Sequence, residues 1–333
     1  DLPKATEDTV LIDILKKYKE KKDTLQKEIV VTPEKNQGEY VKEDNSSASL
    51  DTAQKETKPK DTTEVETKTW KMYAENVHDF ALTADPDFIW DRAQWKDVTV
   101  NVLYSKDSKK YWEKKAALFS KFSIEFFSKT FGLYPYPQFT TAAANVGGGM
   151  EYPHLVFINK KIGSDFNHGL FGVIAHEIGH NWFYGLIGSN ETKQAFMDEG
   201  FTTLATILAM EGYYGRYDNE YTWKNWVRRT FYSNDDDRSR SARSYLTYAK
   251  RGLDEAADTP ADKFLNPGAM RVASYSKTAS VLFMLQYTLG DSVFDYGMRE
   301  YFNRWHYRHP YKEDFQKVME EVSGQKLEWF FKQ

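Results

Sequence analysis

The sequence contains no cysteine in 333 residues. Disulfides, thiol nucleophiles and cysteine-bound metals are therefore excluded. It has no run of apolar residues long enough to span a membrane, and no signal peptide is visible. It has no excess of positive charge: 45 basic against 49 acidic side chains leave a net charge of −4. That removes the basic footprint of a nucleic-acid binder and the polybasic patch of a membrane-surface protein. It shows no internal repeat. The chain opens at Asp1 rather than Met, which reads as an excised or processed piece and leaves the compartment open.

Large apolar residues are also missing from one stretch. Between Thr32 and Thr69, Lys, Glu, Thr, Ser, Asp and Gln dominate. Such a segment cannot bury enough surface to offset its ordering entropy, and reads as a disordered linker or insertion. Ahead of it, Val10, Leu11, Leu15 and Tyr18 fall near helical spacing and predict a solvated helix over Thr9–Val30. The expected organisation is therefore 1–69, a helix plus a polar segment, and 70–333, a globular domain.

What the chain has in quantity is aromatics, 16% of residues, concentrated from Trp70 onward. There Val98, Val100, Val102 and Tyr104 alternate with Thr99, Asn101 and Leu103, predicting a strand. Ser108–Phe131 reads as a helix closed by Gly132. Phe139–Val146 and His154–Asn159 read as strands around a glycine-rich bend. Helices are expected over Phe171–Leu186, Glu199–Met210, Ala273–Leu289, Ser292–Trp305 with Asp291 as N-cap, and Lys312–Val322. Asn234–Arg243 reads as a solvated loop, and Trp182, Phe183 and Tyr184 as core. A small β-sheet followed by a mostly helical lobe is an α+β fold.

The chemistry sits in His176-Glu177-Ile178-Gly179-His180. On a helix, residues four apart share a face, so both imidazoles can approach one ion. Glu177 can reach a water beside that ion without ligating it. Gly179 costs about 1 kcal/mol against Ala in a helix, so a close neighbour or the ion itself should favour it. HExxH alone recurs by chance. Here it follows apolar Val173, Ile174 and Ala175, and a carboxylate, Glu199, lies 19 positions beyond His180. A catalytic zinc needs three protein ligands and an open position, and His176, His180 and Glu199 supply the three. Zinc, one ion per chain, is the expected cofactor. It makes water a nucleophile near neutral pH and polarises a carbonyl, with Glu177 as general base. Asn181 and Thr203 are candidates to orient the ligands.

These residues resemble a known family. HEIGH with the downstream Glu199 is similar to the gluzincins, the thermolysin-like zinc peptidases. Gly148-Gly149-Met150-Glu151-Tyr152 resembles the GxMEN motif of the aminopeptidase N family (the M-1 peptidases), with Tyr152 in place of Asn. Met197-Asp198-Glu199-Gly200-Phe201 is similar to its NEGF segment. Tyr275-Ser276-Lys277-Thr278 resembles its YxKG motif, with Thr278 in place of Gly. Ala74 to Phe80 resembles the start of its catalytic domain. The resemblance implies a thermolysin-like catalytic domain and peptide substrates with a free N-terminus. It implies that Glu151 binds the α-amino group and that Tyr275, one of 22 tyrosines, hydrogen-bonds the oxyanion. Gly147, Gly148, Gly149 and Met150 would then let a strand edge approach the substrate backbone. A β-rich domain is expected ahead of the catalytic domain in the full-length protein. Two other readings stand beside the aminopeptidase: a gluzincin endopeptidase, and a zinc-stabilised binding module, which would need neither Glu177 nor Tyr275.

Overall fold

The computed structural model describes residues 27–31, 69–162, 169–216 and 236–332. The chain divides into two compact units, Asp1–Asn76 and Val77–Gln333. In the first, strands β1 (Lys27–Val31) and β2 (Trp70–Ala74) pair antiparallel, Lys27 opposite Ala74 and Val31 opposite Trp70. The end of the helix expected over Thr9–Val30 is thus strand, as the β-branched run Ile29-Val30-Val31 favours. The rest of that helix and most of the polar stretch lie outside the described residues.

The second unit begins with a five-stranded mixed sheet. Its strands are β3 (Ile89–Trp95), β4 (Val98–Tyr104), β5 (Gln138–Ala144), β6 (Gly149–Met150) and β7 (Leu155–Asn159). Their order is β3-β4-β5-β7-β6. β4, β5 and β7 run parallel, and the edges β3 and β6 pair antiparallel. The alternation read in β4 is a face: Val98, Val100, Val102 and Tyr104 are all buried. Helix α1 (Lys115–Thr130) covers that face with Ala116, Ile124 and Phe127. It is not continuous with the short turn Lys109–Trp112, because Lys114 adopts φ 61° between them and donates its amide to Asp91.

The helical lobe follows. Its longer helices are α2 (Gly169–Gly179), α3 (Glu191–Tyr214), α4 (Asp237–Ala249), α5 (Thr278–Leu289), α6 (Asp291–Trp305) and α7 (Lys312–Ser323). α2 packs against both α1 and α3, and buries Leu170, Phe171, Ile174 and Ile178. It ends earlier than expected. Beyond Gly179 the amides of Gly185, Leu186 and Ile187 reach carbonyls five residues back, and Trp182 is pinned by its indole N–H to the Gly132 carbonyl. Trp182 and Phe183 are core, whereas Tyr184 holds φ 104° on the rim of a cleft.

Two further expectations change. Gly290, at φ 83°, is the cap of α6, and Asp291 is its first residue, where an acid favours the helix dipole. The segment read as a loop around Arg238 opens α4 instead. Asp236 caps it by accepting from the Ser239 amide at 2.8 Å. Arg238 then holds Glu211 of α3 through two hydrogen bonds of 2.7 Å. Those charges are spent on joining two helices, so the run is helical despite its polarity. Among the described residues no helix is long and apolar enough to cross a membrane.

Candidate metal centre and active site

α2 and α3 lie side by side, and their facing side chains converge. His176 is in the last turn of α2, and His180 follows it with its amide 3.3 Å from the His176 carbonyl. Glu199 projects from α3. The His176 Nε2 and Glu199 Oε2 atoms are 3.2 Å apart, His180 Nε2 and Glu199 Oε2 3.3 Å, and the two Nε2 atoms 3.3 Å. This is a nearly equilateral triangle. Zinc bonds of about 2.0–2.1 Å in a tetrahedron place ligand atoms about 3.3 Å apart, so the donor set fits zinc.

The imidazoles are held for that task from behind. Thr206 donates its hydroxyl to the Thr202 carbonyl at 2.7 Å, and its oxygen sits 3.2 Å from His176 Nδ1. With its hydrogen turned toward that carbonyl, the Thr206 oxygen accepts from Nδ1–H, and the lone pair of His176 is left on Nε2. Asp198 does the same for His180, with Oδ1 2.5 Å from Nδ1, and Thr202 adds a contact at 3.2 Å. Burial lowers His176, which keeps it a neutral donor. Burial would lower His180 too, but the Asp198 carboxylate overrides it and raises the imidazole. Burial would raise Glu199, yet contact with His176 and His180 holds its carboxyl well below the usual range. Asn181 and Thr203, the expected orienting residues, do other work. Asn181 accepts from the His154 amide, and Thr203 bonds the Glu199 backbone carbonyl.

Glu177 faces the sheet edge. It is 6% exposed, and burial pushes its carboxyl up to about 8. A Cβ on Gly149 would fall 2.2 Å from Glu177 Oε1, so a side chain there would have to displace the Glu177 carboxyl. A Cβ on Gly147 or Gly148 would meet nothing within 4 Å. Met150 is exposed on the same edge. Glu151 comes next: one oxygen each of Glu151 and Glu177 and one nitrogen of His180 lie within 4.8 Å of one another. Gly179 faces Thr202, whose methyl would be 3.1 Å from an added Cβ, so the close neighbour is α3.

Tyr275 arrives from a π-helical turn, Val272–Lys277, just ahead of α5. Its hydroxyl donates to Glu199 Oε1, and its ring lies parallel to that of His176 with centroids 5.8 Å apart. Burial raises the hydroxyl, so it remains a proton donor. The structure thus brings His176, Glu177, His180, Glu199, Glu151 and Tyr275 to one place. Asp198, Thr202 and Thr206 were missed as site residues. The signal for Asp198 was an acid where NEGF has Asn; for the threonines it was their spacing of three and seven from Glu199 along one helix.

Comparison with known proteins leads the same way. A rice (Oryza sativa subsp. japonica) protein named Aminopeptidase M1-D is 27% identical over 191 residues, 57% of this chain and 20% of that protein. Aminopeptidase 2, mitochondrial, of Saccharomyces cerevisiae is 26% identical over 238 residues, 68% of this chain and 24% of that protein. The chain therefore spans about a quarter or less of these relatives' length. The crystal structure of the M1 zinc metallopeptidase from Deinococcus radiodurans shares the fold with a TM-score of 0.53 at 16% identity, covering 74% of this chain and 50% of that one. The model described as the Peptidase family M1 domain matches residues 116–333, a span that holds β5 to α7 and the whole convergent site. On that match, the chain belongs to peptidase family M1.

Proposed function

We propose that this chain is the catalytic part of a zinc aminopeptidase, which removes the first residue from peptides with a free N-terminus. One zinc would be held by His176, His180 and Glu199. The observation that carries the reading is the position of Glu151. A carboxylate bordering both His180 and Glu177 suits an ammonium group one residue before the bond to be cut.

When bound, zinc supplies Lewis acidity, which acidifies water and polarises the scissile carbonyl. The residues of the chain do the rest. Glu177, in its dry niche against Gly149, takes the proton of the attacking water and returns it to the leaving amine. Tyr275 keeps its proton and offers it as a hydrogen bond to the oxygen that gains charge. Glu151 fixes the substrate's register, so that one residue is released at a time.

The test is one short peptide in two forms, free and N-acetylated, with zinc-loaded protein. Stepwise release from the free form alone is expected. Internal cleavage of both forms would replace this reading with an endopeptidase, and Glu151 would lose its role.

A further inference from the structure

We infer that Thr278 is a positioning residue of the reaction: its hydroxyl locks the π-helical turn, and the turn fixes where Tyr275 presents its proton. This rests on the aminopeptidase reading, in which Tyr275 serves the oxyanion, and adds to it the residue that aims Tyr275.

The turn Val272–Lys277 is π-helical and joins α5 at Thr278. Such a turn is rare and poorly favoured by the backbone alone, so neighbouring groups must hold it. Thr278 grips it at two points. Its amide bonds the Tyr275 carbonyl, and its hydroxyl donates to the Ala273 carbonyl at 2.9 Å. Thr203, Thr206, Ser280 and Thr288 each donate to the carbonyl four residues back, as hydroxyls in helices do. Thr278 reaches five back, so its bond spans the extra residue of the π-turn. Both ends of that bond are dry: Thr278 is 5% exposed and Ala273 1%. Water therefore cannot take over when the donor is lost. The Ser274 hydroxyl, also buried in the turn, has no partner and holds nothing.

The same side chain seats the turn against the helix that carries Glu199. A Cβ on Gly200 would fall 2.2 Å from the Thr278 methyl and 2.7 Å from the Ser274 carbonyl oxygen. Thr278 thus fills the room that Gly200 leaves beside α3. Its methyl sets the distance of the turn from α3, and its hydroxyl sets the shape of the turn. Tyr275, between the two carbonyls' flanks, then has its hydroxyl on Glu199 and its ring parallel to His176. On the outer side, Lys277 Nζ donates to the Asp254 carboxylate at 3.0 Å and to the Glu255 carbonyl at 2.8 Å. Thr278 is the inner anchor. The motif that this turn resembles has glycine at that place, so the clamp belongs to this chain's own sequence.

Thr278→Val keeps a methyl against Gly200 and removes the hydroxyl. On zinc-loaded full chain with a free-amine peptide, kcat is expected to fall about tenfold, the scale of a misplaced rather than a missing group, with KM and zinc content unchanged. Thr278→Ser, which keeps the hydroxyl, should recover most of the loss. Tyr275→Phe alone should lower kcat about 100–1,000-fold. In the Tyr275→Phe background, Thr278→Val should lower kcat by less than about twofold, because the two residues act as a unit. A further loss of about tenfold in that background would make Thr278 a structural residue only and overturn the proposal.

Hydrogen exchange read by mass spectrometry gives a second measure that needs no turnover. In zinc-free protein, residues 272–278 should exchange faster in Thr278→Val and at the native rate in Thr278→Ser, while α2 stays unchanged. Equal exchange of that segment in Thr278→Val and the native protein would overturn the proposal whatever the kinetics. A native chain silent on the peptide would remove the aminopeptidase reading, and the exchange would then decide the clamp by itself.

Discussion

At the residue scale, the site separates into atoms that would touch zinc and atoms that aim them. Asp198 belongs to the second kind. It is 2% exposed, lies 2.5 Å from His180 Nδ1, and leaves Nε2 directed at the triad. Asp198→Ala removes that orientation and leaves all three donors in place. Zinc affinity is expected to fall about 10–100-fold, the usual cost of losing such a partner. Glu177→Gln is the contrast. It should keep zinc and fold while turnover collapses, because the amide cannot accept the water's proton. Competition for zinc with a chromophoric chelator, beside a peptide assay, distinguishes the two. Equal zinc affinity in Asp198→Ala and the native protein would deny Asp198 its role. The candidate ligand triad was legible in the sequence because spacing four along a helix is itself geometry. Asp198 was not, since an acid beside a ligand has no direction until the helix is placed.

At the element scale, the site depends on how closely three elements can approach. α3 meets the π-helical turn through Gly200. A Cβ there would fall 2.2 Å from the Thr278 methyl and 2.7 Å from the Ser274 carbonyl oxygen. Backbone cannot give way as a flexible side chain can, so Gly200→Ala must move the turn. Destabilisation of about 1–3 kcal/mol is expected, with Tyr275 displaced from Glu199. Denaturant unfolding reads the first effect, and a fall in kcat that exceeds any loss of zinc reads the second. Unchanged stability would mean the two elements part without cost. Here sequence and structure diverge in an instructive way. The 3.6-residue period announced α5 and α6 well, because their buried faces are continuous. It missed the end of α2 because apolar Trp182, Phe183, Leu186 and Ile187 continue the pattern, while tertiary contacts pull the backbone into a coil. It missed α4 because that helix buries no residue fully and is held by ion pairs such as Arg238–Glu211. Short-range patterns report burial, not partners across 27 residues.

At the scale of the whole molecule, the second unit joins a sheet to a helical lobe, and the candidate ligands tie two of the lobe's central helices together. His176 and His180 sit at the end of α2, and Glu199 in the first half of α3. Without a cation, the carboxyl groups of Glu199, Glu177 and Glu151 crowd the two imidazoles, and burial pushes Glu177 up to about 8. Zinc binds the folded site and meets no such site in the unfolded chain, so it should stabilise by mass action. At free zinc about a thousandfold above the dissociation constant, that is about 4 kcal/mol. Removing zinc with a chelator should therefore lower the melting temperature by several degrees, and adding zinc back should restore it. The same removal in a His176→Ala and His180→Ala double variant should change nothing, because the two-helix tie is already cut. A shift of equal size in that variant would place the stabilising ion elsewhere. An unmoved melting temperature in the native chain would mean that α2 and α3 are held by their packing alone, with the metal added to a site that is already rigid.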